Sequence, residues 1–242
     1  MKSISVFFTQ LALIISLVNF LPTYSLAADK DNKDSGTTAN YQLSGEAQLL
    51  SHFIVKGLSY SDNNPAMNAA FLAHLGTQVK FGFWGSNISN VGATDDNFWF
   101  KVFGKIDVEL SEKLFVSVFL HDNHFYKSNA RNGQALGLNF NYKSYEFGLE
   151  WMSNLEGTKS NAEYFWFGKL IDYRKVYKYG GYSGLTYSHA SAVHSYFDFK
   201  IVGQYLLNEN SFAEIAMTLN SNSSQFGIRD DPALYLGVKL TY

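Results

Sequence analysis

Apolar and polar residues alternate along most of this chain with a period of two. The pattern is cleanest in the last nine residues, where Leu234, Leu236, Val238, Leu240 and Tyr242 share one face and Tyr235, Gly237, Lys239 and Thr241 share the other. Successive side chains of a strand point to opposite faces, so this segment is a strand with one apolar side. The first such strand sets Tyr41, Leu43, Gly45, Ala47, Leu49, Ser51, Phe53 and Val55 against Gln42, Ser44, Glu46, Gln48, His52 and Lys56, with Leu50 and Ile54 also on the polar side. Further strands follow at residues 67–75, 79–83, 98–110, 114–120, 136–142, 145–151, 164–170, 176–187, 197–205 and 213–219. The pattern predicts about 12 strands, with 10 or 14 as the neighbouring even counts.

The connections support the same reading. Residues 76–77, 111–113, 143–144 and 208–211 are tight turns, with one more expected near 171–175. Longer polar stretches at residues 58–64, 85–97, 121–133, 153–162 and 221–231 fall between them. Short turns alternating with long loops mark an up-and-down transmembrane barrel, with short turns in the periplasm and long loops outside. An even number of strands then places both chain ends on the periplasmic side. The expected fold is all-β, a transmembrane antiparallel β-barrel over residues 41–242.

A soluble barrel also alternates, but its apolar face points inward. Here the polar faces carry Glu46, Lys56, Lys80, Lys101, Lys105, Asp107, Glu109, Glu146, Glu150, Lys169, Asp198, Lys200, Glu214 and Lys239, while the opposite faces are nearly free of charge. Tyr41, Phe98, Tyr142, Tyr145, Trp151, Tyr205 and Tyr242 lie near strand ends on the apolar face, as interfacial girdles require. Lipid is therefore expected outside. Of the charged set, all but Glu109 are the candidate pore-lining residues.

The N-terminus reads as an export signal. Lys2 precedes an apolar run from Val6 to Val18, and Ser25, Leu26 and Ala27 offer a cleavage site after Ala27. The run is too short to anchor the chain, since a spanning helix needs roughly 20 apolar residues. Residues 28–40 are polar and aperiodic and read as a flexible periplasmic tail. The expected destination is the bacterial outer membrane. Cysteine is absent, so strand pairing rather than disulfides must hold the fold. A formal net charge of -2 gives no reason to expect nucleic acid as a partner. Aromatic residues make up 17% of the chain, and there are only 3 prolines, which suits strands.

With these elements placed, Ser51 to Ala66 (SHFIVKGLSYSDNNPA) followed by Phe81 to Asn87 (FGFWGSN) resembles the opening of the TorF family of porins. In that family a strand ending in an aromatic and a basic residue before Gly meets a Ser/Asp-rich loop and Pro-Ala. A Gly-x-Trp-Gly-Ser-Asn strand follows. The family has Arg where this chain has Lys56, which weakens any bidentate role there. The family's aromatic, proline-containing segment is not evident around residues 120–125. The resemblance implies an outer-membrane channel whose solute is generally unassigned. A last strand ending on an aromatic, here Tyr242, also resembles the closing strand of outer-membrane barrels, which the barrel assembly machinery reads.

The expected function is passive diffusion of small hydrophilic solutes through a narrow lumen of mixed charge. Aromatic residues Trp84, Phe103, Phe115, Phe119, Phe165, Phe167, Tyr196 and Tyr235 are expected inside and would narrow it. The lining charges are nearly balanced, so no strong ion selectivity is expected. Lys56 has two readings, an anion-attracting charge at the external rim or half of an interior ion pair that closes the bore. The alternative to a channel is a closed structural or surface-binding barrel. A hydrolase ranks lower. His121, Asp122 and His124 open an expected external loop, and Asp95 and Asp96 lie on another, but neighbouring strand residues start on opposite faces. Neither a catalytic motif nor metal-ligand spacing is present, and no cofactor is expected.

Overall fold

The computed structural model describes residues 41–89, 96–155, 157–171, 178–191, 193–222 and 232–242. The signal and tail fall outside these residues, as do Asp95 and most of the turn expected near 171–175 and the loop expected at 221–231. Twelve antiparallel strands close into one barrel: β1 (Tyr41–Leu50), β4 (Ala66–Leu75), β5 (Val79–Asn87), β6 (Phe98–Ser111), β7 (Leu114–Phe125), β8 (Gly133–Tyr142), β9 (Tyr145–Met152), β10 (Ala162–Ile171), β11 (Tyr179–Ala190), β12 (Val193–Asn208), β13 (Ser211–Asn220) and β14 (Ala233–Thr241). Two short strands, β2 (Ile54–Val55) and β3 (Leu58–Ser59), pair only with each other. Sequential strands are neighbours throughout the ring, and β1 closes it against β14. Closure leaves no unpaired sheet edge, which a spanning sheet in lipid requires.

Register separates the two faces. Leu43, Leu49, Met67, Phe71, Phe83, Phe147, Leu149, Ile201, Ile215, Leu234 and Leu236 are all exposed, an apolar outer surface that a bilayer covers. Phe98, Tyr142, Tyr145, Trp151, Tyr205 and Tyr242 are exposed near strand ends, as a girdle requires. The tight turns between β4 and β5, β6 and β7, β8 and β9, and β12 and β13 lie at the end where Tyr41 pairs with Leu75.

Four expected features differ. The first strand ends at Leu50 rather than Val55. Beyond it, Leu50, Phe53, Ile54 and Leu58 are buried together, so residues 51–65 fold into the barrel instead of continuing its wall. β7 runs to Phe125, so His121 to His124 are strand rather than loop. β11 ends at Ala190 and β12 begins at Val193, a short connection at the long-loop end and one exception to the alternation of connections.

The third strand-level difference concerns β10, where the two faces are exchanged. Lys169 pairs with Tyr145 and Phe167 with Phe147, both on the outer face of β9, while Tyr164 pairs with Glu150. Phe165 and Phe167 are accordingly 47% and 56% exposed and face outward, and Tyr164 is buried. The segment AEYFWFGKLI is apolar on both faces, so its alternation carries no parity. Lys169 is therefore not a lumen residue; its ammonium lies 5.6 Å from the centre of the Tyr145 ring, near a strand end where a lysine can reach the interface.

Candidate channel lumen

The inward loop is built around one tight turn. β2 and β3 pair as Ile54↔Ser59 and Val55↔Leu58, leaving Lys56 and Gly57 as the two turn residues. Both have positive φ, 50° and 74°. Two left-handed residues are what a two-residue hairpin of the favoured hand demands, and glycine supplies the second at little cost. Behind the turn the loop is tied to itself. The Phe53 amide donates to Ser61 Oγ at 2.9 Å, the Tyr60 amide to the Phe53 carbonyl at 2.8 Å, and His52 Nε2 shares a 2.6 Å hydrogen bond with Ser59 Oγ.

The loop crosses the bore. Lys56 Nζ donates to Glu150 Oε1 at 2.6 Å, and Glu150 stands on β9, six strands round the ring from β1 and so diametrically opposite. The same ammonium sits 3.1 Å from the centre of the Tyr164 ring on β10. Gly57 lies against Asp198 on β12, so close that an added Cβ would fall 2.8 Å from Asp198 Oδ1. Between root and tip the loop is apolar. Phe53 lies 5.8 Å from Trp84, Tyr60 stacks on Trp99 at 4.8 Å, and Trp99 stacks on Phe125 at 5.4 Å, ring centre to ring centre. Leu58, Tyr196 and Tyr235 belong to the same cluster. The outer part of the lumen is thus filled by the chain's own hydrophobic residues.

Outer loops pack above it. Asp96 is fully buried, accepts hydrogen bonds from the Lys127 and Ser128 amides at 2.7 and 2.9 Å, and faces Arg131 at 3.7 Å. Arg131 in turn lies 4.1 Å over the Phe125 ring.

Beneath the loop the lumen opens into a hollow of about 380 Å³, with a smaller one of about 80 Å³ at the level of the loop tip. Lys101 and His121 border both. The inward faces carry Glu46, Lys80, Lys101, Lys105, Asp107, Glu146, Glu150, Asp198, Lys200, Glu214 and Lys239, by register with one another around the ring. Several are paired: Lys239 with Glu46 at 2.6 Å, and Lys80 and Lys105 with the same Asp107 at 2.8 and 3.0 Å. Glu214 accepts from Gln204 Nε2 at 2.9 Å. Signs are unevenly distributed. Three lysines and one aspartate line β5 and the inner part of β6, whereas β9, β12 and β13 contribute Glu146, Glu150, Asp198 and Glu214 against Lys200. A balanced total therefore conceals a field across the bore.

His121 is a lumen residue that the sequence had placed on an external loop; it stacks parallel to Phe119 at 6.2 Å. Asp122, its neighbour, pairs instead with His124 at 3.2 Å on the other face of β7. His121 and His124 consequently share no site. Trp99, Tyr164 and Phe125 were not expected inside. For Trp99 and Phe125 the signal was present as Leu50 and Ile54 on the polar side of the first strand, where unbroken alternation would have put polar groups.

No protein-family model matches the sequence, and neither does any curated protein. The fold is similar to solved porins. The KdgM porin aligns with a TM-score of 0.56 at 6% identity, over 82% of this chain and 99% of that one. The KdgM porin in complex with disordered oligogalacturonate aligns with a TM-score of 0.54 at 7% identity, over the same shares. At such identities the likeness concerns the fold, a porin-like barrel.

Proposed function

We propose that this protein is an outer-membrane channel for small hydrophilic solutes, of the TorF type, with a lumen narrowed by residues 51–65. The observation that carries this reading is the hollow inside a closed transmembrane barrel, with Glu46, Lys101 and Lys105 among the aromatic residues that line it. Glu46, Lys56, Lys80, Lys101, Lys105, Asp107, Glu146, Glu150, Asp198, Lys200, Glu214 and Lys239 line its path. Export follows cleavage after Ala27, and the assembly machinery reads Tyr242. The KdgM likeness supports a channel; the oligogalacturonate of that complex belongs to KdgM.

A second reading has its own observation. The aromatic cluster of the inward loop fills the bore, which favours a closed barrel. Single-channel recording of the refolded barrel in a planar bilayer separates the two. Discrete current steps that grow when Lys56 is replaced by Ser establish a channel constricted by the loop. A folded, heat-modifiable protein that passes no current, with or without that substitution, leaves the closed barrel.

A further inference from the structure

The hollow beneath the loop has a wall of uncommon composition. Trp84, Phe103, Phe119 and His121 present aromatic rings to it, and Ala70 and Leu72 add aliphatic surface. Its volume falls in the roughly 300–1,000 Å³ range of small-molecule sites, which combine apolar walls with a few placed polar groups. Two lysines, Lys105 and Lys101, line it. Lys105 shares Asp107 with Lys80, so that trio keeps one positive charge in excess. Lys101 forms no ion pair among the described residues; its ammonium lies 4.2 and 4.7 Å over the rings of Trp99 and Trp84. Glu150, whose field reaches Lys101, is already held by Lys56 at 2.6 Å. The one acid on the wall, Glu46, is bound to Lys239.

A lysine held on aromatic faces inside a barrel retains an unmet demand for an anion, because cation–π contact replaces only part of its lost hydration. We propose that this hollow binds small aromatic carboxylates, the carboxylate on Lys101 and the ring among Trp84, Phe103 and Phe119. This names a solute class for the channel and rests on that reading for how the solute arrives. Cations are excluded by the excess positive charge on this wall, and a carboxylate without a ring leaves the aromatic surface uncovered.

Calorimetric titration of the refolded barrel in detergent, with empty micelles as blank, tests it without any current. Sodium benzoate should bind saturably, sodium acetate roughly tenfold or more weakly, and benzylamine not at all at matched ionic strength. Lys101→Gln should weaken benzoate roughly tenfold, while Lys101→Arg keeps it. Should Lys101→Gln fail to give the heat-modifiable band, Phe103→Ala decides, bringing benzoate down towards acetate. Benzoate binding no better than acetate, equal binding of benzylamine, wild-type binding by the glutamine variant, or no saturable binding would each overturn the proposal. Current without benzoate binding sinks the site and leaves the channel. Binding without current sinks the channel and leaves a closed barrel with a ligand site.

Discussion

Lys56 and Gly57 show how much two residues can decide. At φ 74° and pressed on Asp198, Gly57 admits no side chain without both backbone strain and a clash. Gly57→Ala should therefore cost about 1–3 kcal/mol at the tip and dislodge it, read as faster hydrogen exchange of residues 52–61 with the barrel strands unchanged. Lys56 and Glu150 form a contact whose side chains are 23% and 9% exposed, so removing one partner strands a charge. Glu150→Ala should destabilise the folded barrel by about 2–4 kcal/mol in a urea titration, and Lys56→Met added to it should return most of that loss. An unchanged midpoint for Glu150→Ala would mean the pair is solvated and holds nothing. The sequence singled out Lys56 and offered an interior ion pair as one of its two readings, but could not name Glu150, because a partner 94 positions away is set by the ring and not by spacing. Lys169 was misplaced for the converse reason, since its strand is apolar on both sides.

At the scale of elements, most strands were legible because lipid outside and charge inside impose strict alternation. Only where both faces are apolar did the pattern lose meaning, at β10 and in residues 51–65. The loop behaves as a miniature core. Its turn is fixed by Lys56-Gly57, its base by Ser59 and Ser61, and its body by stacked rings. His52 belongs to that base and lies off the spanning strands. Burial lowers its basicity below the ordinary value of about 6.5, an effect that Asp62 only partly opposes. With the folded value depressed, neutral His52 supports the loop fully above the unfolded value, and that support is lost as the pH falls through the folded one. Acidification below about pH 6.5 should thus loosen the loop. Channel current, or hydrogen exchange at residues 52–61, should rise as the medium is made acidic, and His52→Asn should flatten that rise. An unchanged pH response in His52→Asn would assign the effect to other groups.

The whole molecule depends on one seam. Every other pair of neighbouring barrel strands is joined by a local connection, whereas β1 and β14 must meet from opposite ends of the barrel sequence. Their ladder is the shortest in the ring, from Glu46↔Thr241 to Leu50↔Gly237. It is extended by a reciprocal pair of hydrogen bonds between Gly45 and Tyr242, at 2.9 and 3.0 Å, and by the Ser51 amide donating to the Leu236 carbonyl at 2.8 Å. The Tyr242 ring lies directly over Gly45, in the space a Cβ would occupy. An aromatic covering a cross-strand glycine recovers packing that the bare backbone lacks, and here it does so at the last pair of the seam. Gly45→Val should displace the ring and weaken closure, whereas Gly181→Val, although its added Cβ would press on the Val202 carbonyl, lies away from the seam. Refolding into lipid vesicles, followed by the fraction of heat-modifiable barrel, should fall several-fold for Gly45→Val and less for Tyr242→Phe, which keeps the ring. If Tyr242→Ala refolds as fully as the parent, closure rests on the ladder alone. The loop bears on this seam as well, because Leu50 and Tyr235, on its two strands, belong to the cluster that holds Phe53 and Leu58. Docking residues 51–65 into the bore and closing the ring are then coupled steps. Gly57→Ala, which dislodges the tip, should lower the yield of closed barrel by a smaller factor than Gly45→Val, and combining the two should lower it by less than the product of the separate factors.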